Sequence, residues 1–203
     1  MSTSWRTKQG RGAYPKAELT LTRRTLELRP DGALRLVLVA DTHGQPHPKS
    51  ATLIAAQHPD HILHAGDIGD LSVLDRLEKL APVSAVRGNV DGRAPGLFDA
   101  MTLDVRDGEG SLLTLLLVHI AVNGPKLRAD VARLATAEKA SLVVCGHSHV
   151  PFVGTDKGIT LVNPGSIGPR RFQLPILFAV MDISRERIAI HHVSCETGER
   201  WSP

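Results

Sequence analysis

Short apolar runs recur along this chain, and most of them stop at a cluster of glycine with Asp, Asn or His. Residues 34–40 are apolar apart from Arg35 and rich in Val and Leu. A run of that length and make-up predicts a strand covered on both faces. Pro46 and Pro48 interrupt the chain after it, and residues 49–57 then predict a short helix. Residues 61–65 are the next strand candidate. Leu71, Leu74, Leu77 and Leu80 recur at helical spacing behind Asp70, a suitable N-cap, and predict an amphipathic helix that ends at Leu80. A third strand over residues 82–86 leads into the turn at Gly88.

Two β-α-β units in succession imply a parallel sheet flanked by helices, in which ligands sit beyond the carboxyl ends of the strands. Asp41, Asp67 and Asn89 fall at those ends. The second half changes character. Residues 101–105 and 111–118 flank Asp107-Gly108-Glu109-Gly110, a hairpin signal. A helix over about residues 126–139 carries Leu127, Val131, Leu134 and Ala135 on one face. Residues 142–145, a hairpin around Asp156-Lys157-Gly158, and late strands near 176–181 and 187–192 complete the reading. Antiparallel pairing late in a chain that begins parallel predicts an α/β (α+β) sandwich, two mixed sheets packed face to face with helices outside. No repeat or linker divides residues 34–203, which are read as one domain. Residues 1–33 are read as an N-terminal extension, flexible around Gly10-Arg11-Gly12. Residues 19–22 and 25–28 alternate as strand residues do, and Pro30-Asp31-Gly32 is placed to turn such a strand into the one at 34–40, so that an added edge strand or a hairpin is expected.

Composition narrows the classes. The 203 residues are 42% hydrophobic, enough for one sizeable core. The most apolar run, 112–118, is far too short to span a membrane, and the basic N-terminus has no apolar signal region. A cytoplasmic location is the resulting expectation. Net charge is +3, with much of the excess in residues 1–16 and at Arg170-Arg171, and aromatics are only 3%. Neither a basic groove nor stacking platforms are indicated, so nucleic acid is not a favoured partner. Cys145 and Cys195 are too few for a disulfide framework, and Cys145 reads as core. Nothing in the sequence reports on oligomeric state.

The candidate chemistry lies in the clusters that end the runs: Asp41-Thr42-His43-Gly44, Gly66-Asp67-Ile68-Gly69-Asp70, Gly88-Asn89-Val90-Asp91, His119 and Gly146-His147-Ser148-His149. Carboxylate, imidazole and amide donors together suit divalent transition metals, and the glycines let the backbone turn sharply enough to aim them. Asp41 and His43 converge only if their loop bends. His147 and His149, two apart, would share a face on an extended strand and could serve neighbouring metals. Two divalent ions bridged by a carboxylate and a hydroxide would activate water and absorb charge on phosphorus. Taken singly, each cluster is more often a plain turn. The other histidines read as structural: His61 and His64 packed or half exposed, His191 and His192 at an edge or surface, His47 and His58 solvated. Arg170 and Arg171 could reach a phosphate, but a solvated pair is the favoured reading.

In this order, Asp-x-His, Gly-Asp, Gly-Asn-x-Asp, His and Gly-His-x-His resemble the calcineurin-like metallophosphoesterase superfamily, and Asn163-Pro164-Gly165-Ser166 is similar to the small single-domain bacterial and archaeal phosphodiesterases within it. The resemblance covers roughly residues 34–181. It implies a four-layer sandwich, hydrolysis of phosphodiesters with phosphomonoesters as a second possible class, and two divalent ions with manganese foremost and Fe, Zn, Ni or Co as alternatives. One ion would be held by Asp41, His43, Asp67 and His149, the other by Asp67, Asn89, His119 and His147, with Asp67 bridging. Asn89 would also meet the phosphate, and Asp91 would brace the Asn89 loop. The chain departs from the family pattern at Val90, where many members carry a proton-donating His, and at Ile120, where Gly is usual. The implied partner is a small phosphoester. A nuclease using the same metals, and a protein-interaction scaffold resembling the retromer subunit of this fold, are the rival readings.

Overall fold

The computed structural model describes residues 19–108 and 110–202. The basic tail, the Gly10-Arg11-Gly12 stretch and Glu109 lie outside the described residues. In the central strand β2 (Ala33–Val39), Leu34, Leu36 and Leu38 face one way, and Val37 and Val39 the other. Side chains alternate across a strand, so a run that is apolar at every position must be covered twice. β2 pairs in parallel with β3 (His61–His64), and β3 with β4 (Val83–Ala85). Helices α1 (Ser50–Ala55) and α2 (Ser72–Glu78) make the crossovers. The carboxylate of Asp70 accepts the N–H of Ser72 at 2.9 Å, but the N-cap of α2 is Leu71, one residue later than expected, and it makes no side-chain cap bond.

On the other side of β2 lie β12 (Leu177–Ser184), β13 (Ile188–Ser194) and β14 (Arg200–Trp201), all antiparallel. Arg35, the polar interruption in β2, sits opposite Asp182 and donates to it at 2.6 Å. The second sheet has the order β1 (Leu21–Glu27), β5 (Ala100–Asp107), β6 (Gly110–Val118), β9 (Leu142–Val144), β11 (Ile159–Asn163) and β10 (Phe152–Asp156). Its strands β6, β9 and β11 run parallel to one another. Leu36, Leu38, Leu63, Met181 and Ala179 of the first sheet meet Leu103, Leu115, Leu117 and Val144 of the second in the central core. Val37, Val39 and Phe178 pack outward on Ile54, Val73 and Leu77 of α1 and α2. Leu116, Val143 and Leu161 pack outward on Val131, Leu134 and Ala135 of α3 (Ala129–Ala137). The result is a helix–sheet–sheet–helix sandwich, as anticipated.

Three further expectations need correction. Residues 21–27 form an edge strand, but β1 pairs in parallel with β5 rather than as a hairpin with β2. The turn at residues 29–33 closes as predicted, with Gly32 donating to Arg29 and Arg29 to Ala33, yet it carries the chain from one sheet to the other. Packing decides this: Leu26 and Leu28 join the inter-sheet core, while Leu19 and Leu21 join the α3 layer. Helix α3 starts later than residue 126, because β7 (Val122–Asn123) and β8 (Lys126–Leu127) pair as a small hairpin ahead of it. His192 is buried and not at a surface, since β14 covers its strand; its Nε2 donates to the Asn163 carbonyl at 2.8 Å. Cys145 and Cys195 are fully buried, and burial pushes both thiols up to about 12, which suits core residues. No described helix is long and apolar enough to cross a membrane.

Burial also governs His61, whose Nε2 lies 2.9 Å from the Ser84 hydroxyl. Burial first, and Arg24 second, push its pKa down to about 4. The ionised form is therefore better tolerated in the unfolded chain, and stability is lost as pH falls below about 6.5, down to about 4. Between pH 7 and pH 5, the stability advantage of the parent over His61→Gln is expected to shrink by up to about 2 kcal/mol in urea titrations. An advantage independent of pH would show that His61 gains no such shift.

Candidate metal centre

Every predicted donor lies just beyond the carboxyl end of a parallel strand: Asp41 and His43 after β2, Asp67 after β3, Asn89 after β4, His119 after β6, and His147 and His149 after β9. The two sheets present these ends along one rim of the sandwich, where the loops meet. Asp41, His43 and His149 form one group of ligand atoms within 4.8 Å of one another, and Asp67, His119 and His147 form another. The Asp67 carboxylate lies between the groups. Its Oδ1 is 3.2 Å from His119 Nε2, and its Oδ2 is 3.9 Å from His43 Nε2. The amide oxygen of Asn89 is 3.1 Å from His119 Nε2 and 2.9 Å from His147 Nδ1. His43 and His149 stack, with Nε2 atoms 3.3 Å apart.

The backbone reaches this arrangement in an unexpected way. Asp41, His43, Asp67, His147 and His149 all have positive φ, between 46° and 70°. Left-handed backbone costs a non-glycine residue about 1–3 kcal/mol and persists only where its surroundings enforce it. Here the 41–44 turn is laced to the 66–68 loop through Asp41 N–H to Gly66, His43 N–H to Asp67 and Gly44 N–H to Ile68, at 2.7–3.0 Å. His147 and His149 are accordingly not on an extended strand, as their spacing suggests, but in a bent loop that sends one imidazole to each group. Gly88 is required for a further reason: a Cβ there would come within 2.1 Å of the Asp67 carboxylate.

Asp91 does not join the donors. Its carboxylate accepts the N–H groups of Gly88 at 2.8 Å, Gly69 at 2.8 Å and Ile68 at 3.1 Å, which ties the Asn89 loop to the Asp67 loop. Its part is positioning. His64 lies beneath the site, fully buried. Because the Thr42 hydroxyl donates to the Ile68 carbonyl, His64 Nε2 must carry a proton toward that hydroxyl, and its Nδ1 accepts the Gly66 N–H. Only the neutral ring satisfies both contacts, in keeping with a pKa that burial pushes down to about 4.

The electrostatics call for a cation. Burial pushes the Asp41 carboxyl up to about 7, although two N–H contacts from the His147 backbone and the charge on His119 oppose the shift. Burial likewise lowers His43 and His147, and burial with Arg171 and His43 takes His149 down to about 4. At Asp67 burial opposes ionisation, but the hydrogen bond and charge of His119 hold it down to about 2. His119 donates Nδ1–H to the Ala65 carbonyl at 2.7 Å, which leaves Nε2 facing two oxygen acceptors. Buried at that junction, His119 is raised as Asp67 and Asp41 outweigh burial. Acceptor atoms of Asp67, Asn89, His119 and His147 thus converge, and the Nε2 of His149 faces His43 Nε2 at 3.3 Å and Asp41 Oδ1 at 3.6 Å. A divalent ion answers that demand, and the mixed N and O donors fit it.

Other contributors to the site lie in the 163–171 segment. The Asn163 amide donates to the Gly146 carbonyl at 2.8 Å and to the Ser148 hydroxyl at 3.1 Å, and Ser166 donates to the Asp41 carbonyl at 2.9 Å. The Asn-Pro-Gly-Ser turn therefore orients both histidine-bearing loops. Gly168 admits the close passage of the chain there, since a Cβ would lie 2.2 Å from the Asp41 carbonyl oxygen. Both arginines are exposed, as the solvated-pair reading expects, yet each also has a partner within the protein. Arg170 is bonded to Glu196 and to the Leu174 carbonyl, and Arg171 Nη2 is 3.1 Å from His43 Nε2. Arg171 is a long side chain reaching from a loop after the motif, so no local spacing marks it.

Comparison with known proteins agrees with this geometry. Residues 34–186 match the model of the calcineurin-like phosphoesterase superfamily domain. The chain is 31% identical over 168 residues to a probable metallophosphoesterase of Methanocaldococcus jannaschii, covering 79% of this chain and 80% of the relative. Among solved structures, a predicted phosphoesterase from Streptococcus pneumoniae superposes with a TM-score of 0.60 at 21% identity, covering 81% of this chain and 91% of the other. Vps29 of Entamoeba histolytica complexed with Zn2+ superposes at 0.66 and 19% identity, covering 83% and 96%. These two likenesses speak for the fold alone. The family model, the archaeal relative and the ordered donor set together establish that the chain belongs to the calcineurin-like phosphoesterase superfamily.

Proposed function

We propose that this chain is a phosphodiesterase that works with two divalent ions, the first held by Asp41, His43, Asp67 and His149 and the second by Asp67, Asn89, His119 and His147. The observation that carries the reading is the Asp67 carboxylate, with one oxygen directed to each histidine group. Two ions supply charge neutralisation at phosphorus and an activated water. The chain's own groups do the rest. Asn89 offers its amide at the open edge of the second group, where a phosphoryl oxygen can be met. His119 is locked by Ala65 into the ring orientation that presents Nε2. Asp91 fixes the loop that carries Asn89. Zn2+ in the Vps29 relative supports metal binding on this fold, and manganese is the ion proposed here. A pure scaffold role on the same fold is disfavoured because all seven donor side chains are present and converge.

The protein is expected to bind two divalent ions per chain. Asp67→Asn should take diester hydrolysis below detection with the far-UV spectrum unchanged. Metal content and turnover equal to the parent would remove Asp67 as the bridging group.

The two sites should also separate. His149→Ala is expected to weaken the ion shared with Asp41 and His43, and His147→Ala the ion near Asn89 and His119. Anomalous scattering from manganese-soaked crystals of each variant reads this directly, and two undiminished peaks in both variants would contradict the assignment.

Val90 bears on the leaving group. Its side chain is half exposed, its N–H donates to Asp67 Oδ1 at 3.1 Å, and it carries no proton to give. General acid assistance is typically worth roughly 10²–10⁴-fold, so alkyl esters should turn over far more slowly than aryl esters. Val90→His should raise alkyl turnover selectively. A parent without aryl preference, together with a variant without selective gain, would point to another proton source.

A further inference from the structure

Among the described residues, four of the large apolar side chains that lie exposed flank the donor loops: Leu71 beside Asp70, Val90 beside Asn89, Val150 beside His149 and Phe172 beside Arg171. Phe172 is the extreme case, 91% exposed, and it holds a positive φ of 53°. A bulky aromatic in that conformation is an outlier that the surrounding loop must enforce. The enforcement is visible. Arg170 ties the loop to Glu196 and to the Leu174 carbonyl, and the Leu174 N–H closes back onto the Arg171 carbonyl at 3.2 Å. The same short turn that displays Phe172 to solvent sends Arg171 inward to the His43 ring.

That inward contact also has a consequence for ligand binding. Arg171 donates to the Nε2 lone pair that His43 would give to a metal ion, and one lone pair cannot serve both. A metal ion bound through that lone pair would release the guanidinium from His43, leaving its fork of N–H donors next to the first group. Such a fork matches phosphoryl oxygens in pairs. A charged anchor and a fully displayed ring on adjacent residues fit a ligand that is anionic at one end and planar and apolar at the other.

We propose that Arg171 and Phe172 form the substrate-reading tip of this site, Arg171 holding a phosphoryl oxygen and Phe172 stacking on an aromatic ester group, so that the substrate class is phosphodiesters bearing a planar ring. The proposal rests on the phosphodiesterase reading for its reaction, but its binding geometry can be tested apart from turnover. The probes are phenylphosphonate and methylphosphonate, which share the anion and are not hydrolysed, titrated calorimetrically into the manganese-loaded full chain. The parent should bind the phenyl compound roughly 5–10-fold more tightly, at the lower end of what ring stacking supplies. Phe172→Ala should erase that preference and Phe172→Tyr should keep it, with metal content equal to the parent in both. Arg171→Ala should weaken both phosphonates, and Arg171→Lys should restore only part of the loss.

Equal binding of the two probes by the parent, or a phenyl preference that survives Phe172→Ala, would overturn the proposal. So would failure of either phosphonate to bind. Hydrolysis of bis(4-nitrophenyl) phosphate by a parent that shows no phenyl preference would keep the phosphodiesterase reading and remove this one. A Phe172-dependent preference without hydrolysis would do the reverse.

Discussion

The charge of two carboxylates held out of water at the end of the inter-sheet core is the constraint on which the rest of this structure turns. Asp41 is fully buried and Asp67 nearly so. An isolated buried carboxylate is costly and takes up a proton unless a cation or several donors answer it. The chain supplies only part of the answer: backbone N–H groups of His147 and Val90, and a proton on His119. Neutral imidazoles, kept neutral by burial, complete a cage of lone pairs. Its chemistry is incomplete without metal, and this explains why so much of the surrounding structure serves to hold acceptors together against their mutual repulsion.

Holding them requires backbone that the sequence does not prefer. Five donor residues occupy the left-handed region, where only glycine is at ease. The strain is contained because every loop is fixed by at least one neighbour: the 41–44 turn by the 66–68 loop, the 88–91 loop by the Asp91 carboxylate, and the 146–149 loop by Asn163 and Asp41. The 41–44, 66–68 and 146–149 loops stand at the ends of strands whose alternate residues are locked in two different cores, which fixes the strand ends. Stability stored in the leucine and valine layers is thereby converted into precision at the rim.

The 163–172 segment joins the bracing of the donor loops to the Arg171–His43 contact in one stretch of chain. Its first part braces the donor loops through Asn163 and Ser166, with His192 supporting the Asn163 carbonyl from the next sheet over. Its last part carries the arginine and the exposed phenylalanine. Arg171 contacts the His43 nitrogen that faces the candidate metal site.

Much of this protein was determined by sequence alone. The apolar run at 34–40, broken only by Arg35, called for a strand covered on both sides, and the parallel β-α-β order put Asp41, Asp67 and Asn89 at one rim. Periodicity and spacing are local properties, so a chain reveals them without folding. Tertiary structure decided what depends on contacts distant in sequence. It assigned β1 to the far sheet beside β5, where Leu26 and Leu28 pack partly buried against the inter-sheet core, a choice no local turn encodes. It sent His147 and His149 apart by bending a loop that spacing alone would leave extended. It covered His192 with a final short strand and brought Arg171 to His43 across 128 positions of chain. Each of these outcomes is set by which surfaces meet when two sheets pack, a quantity that no window of neighbouring residues contains.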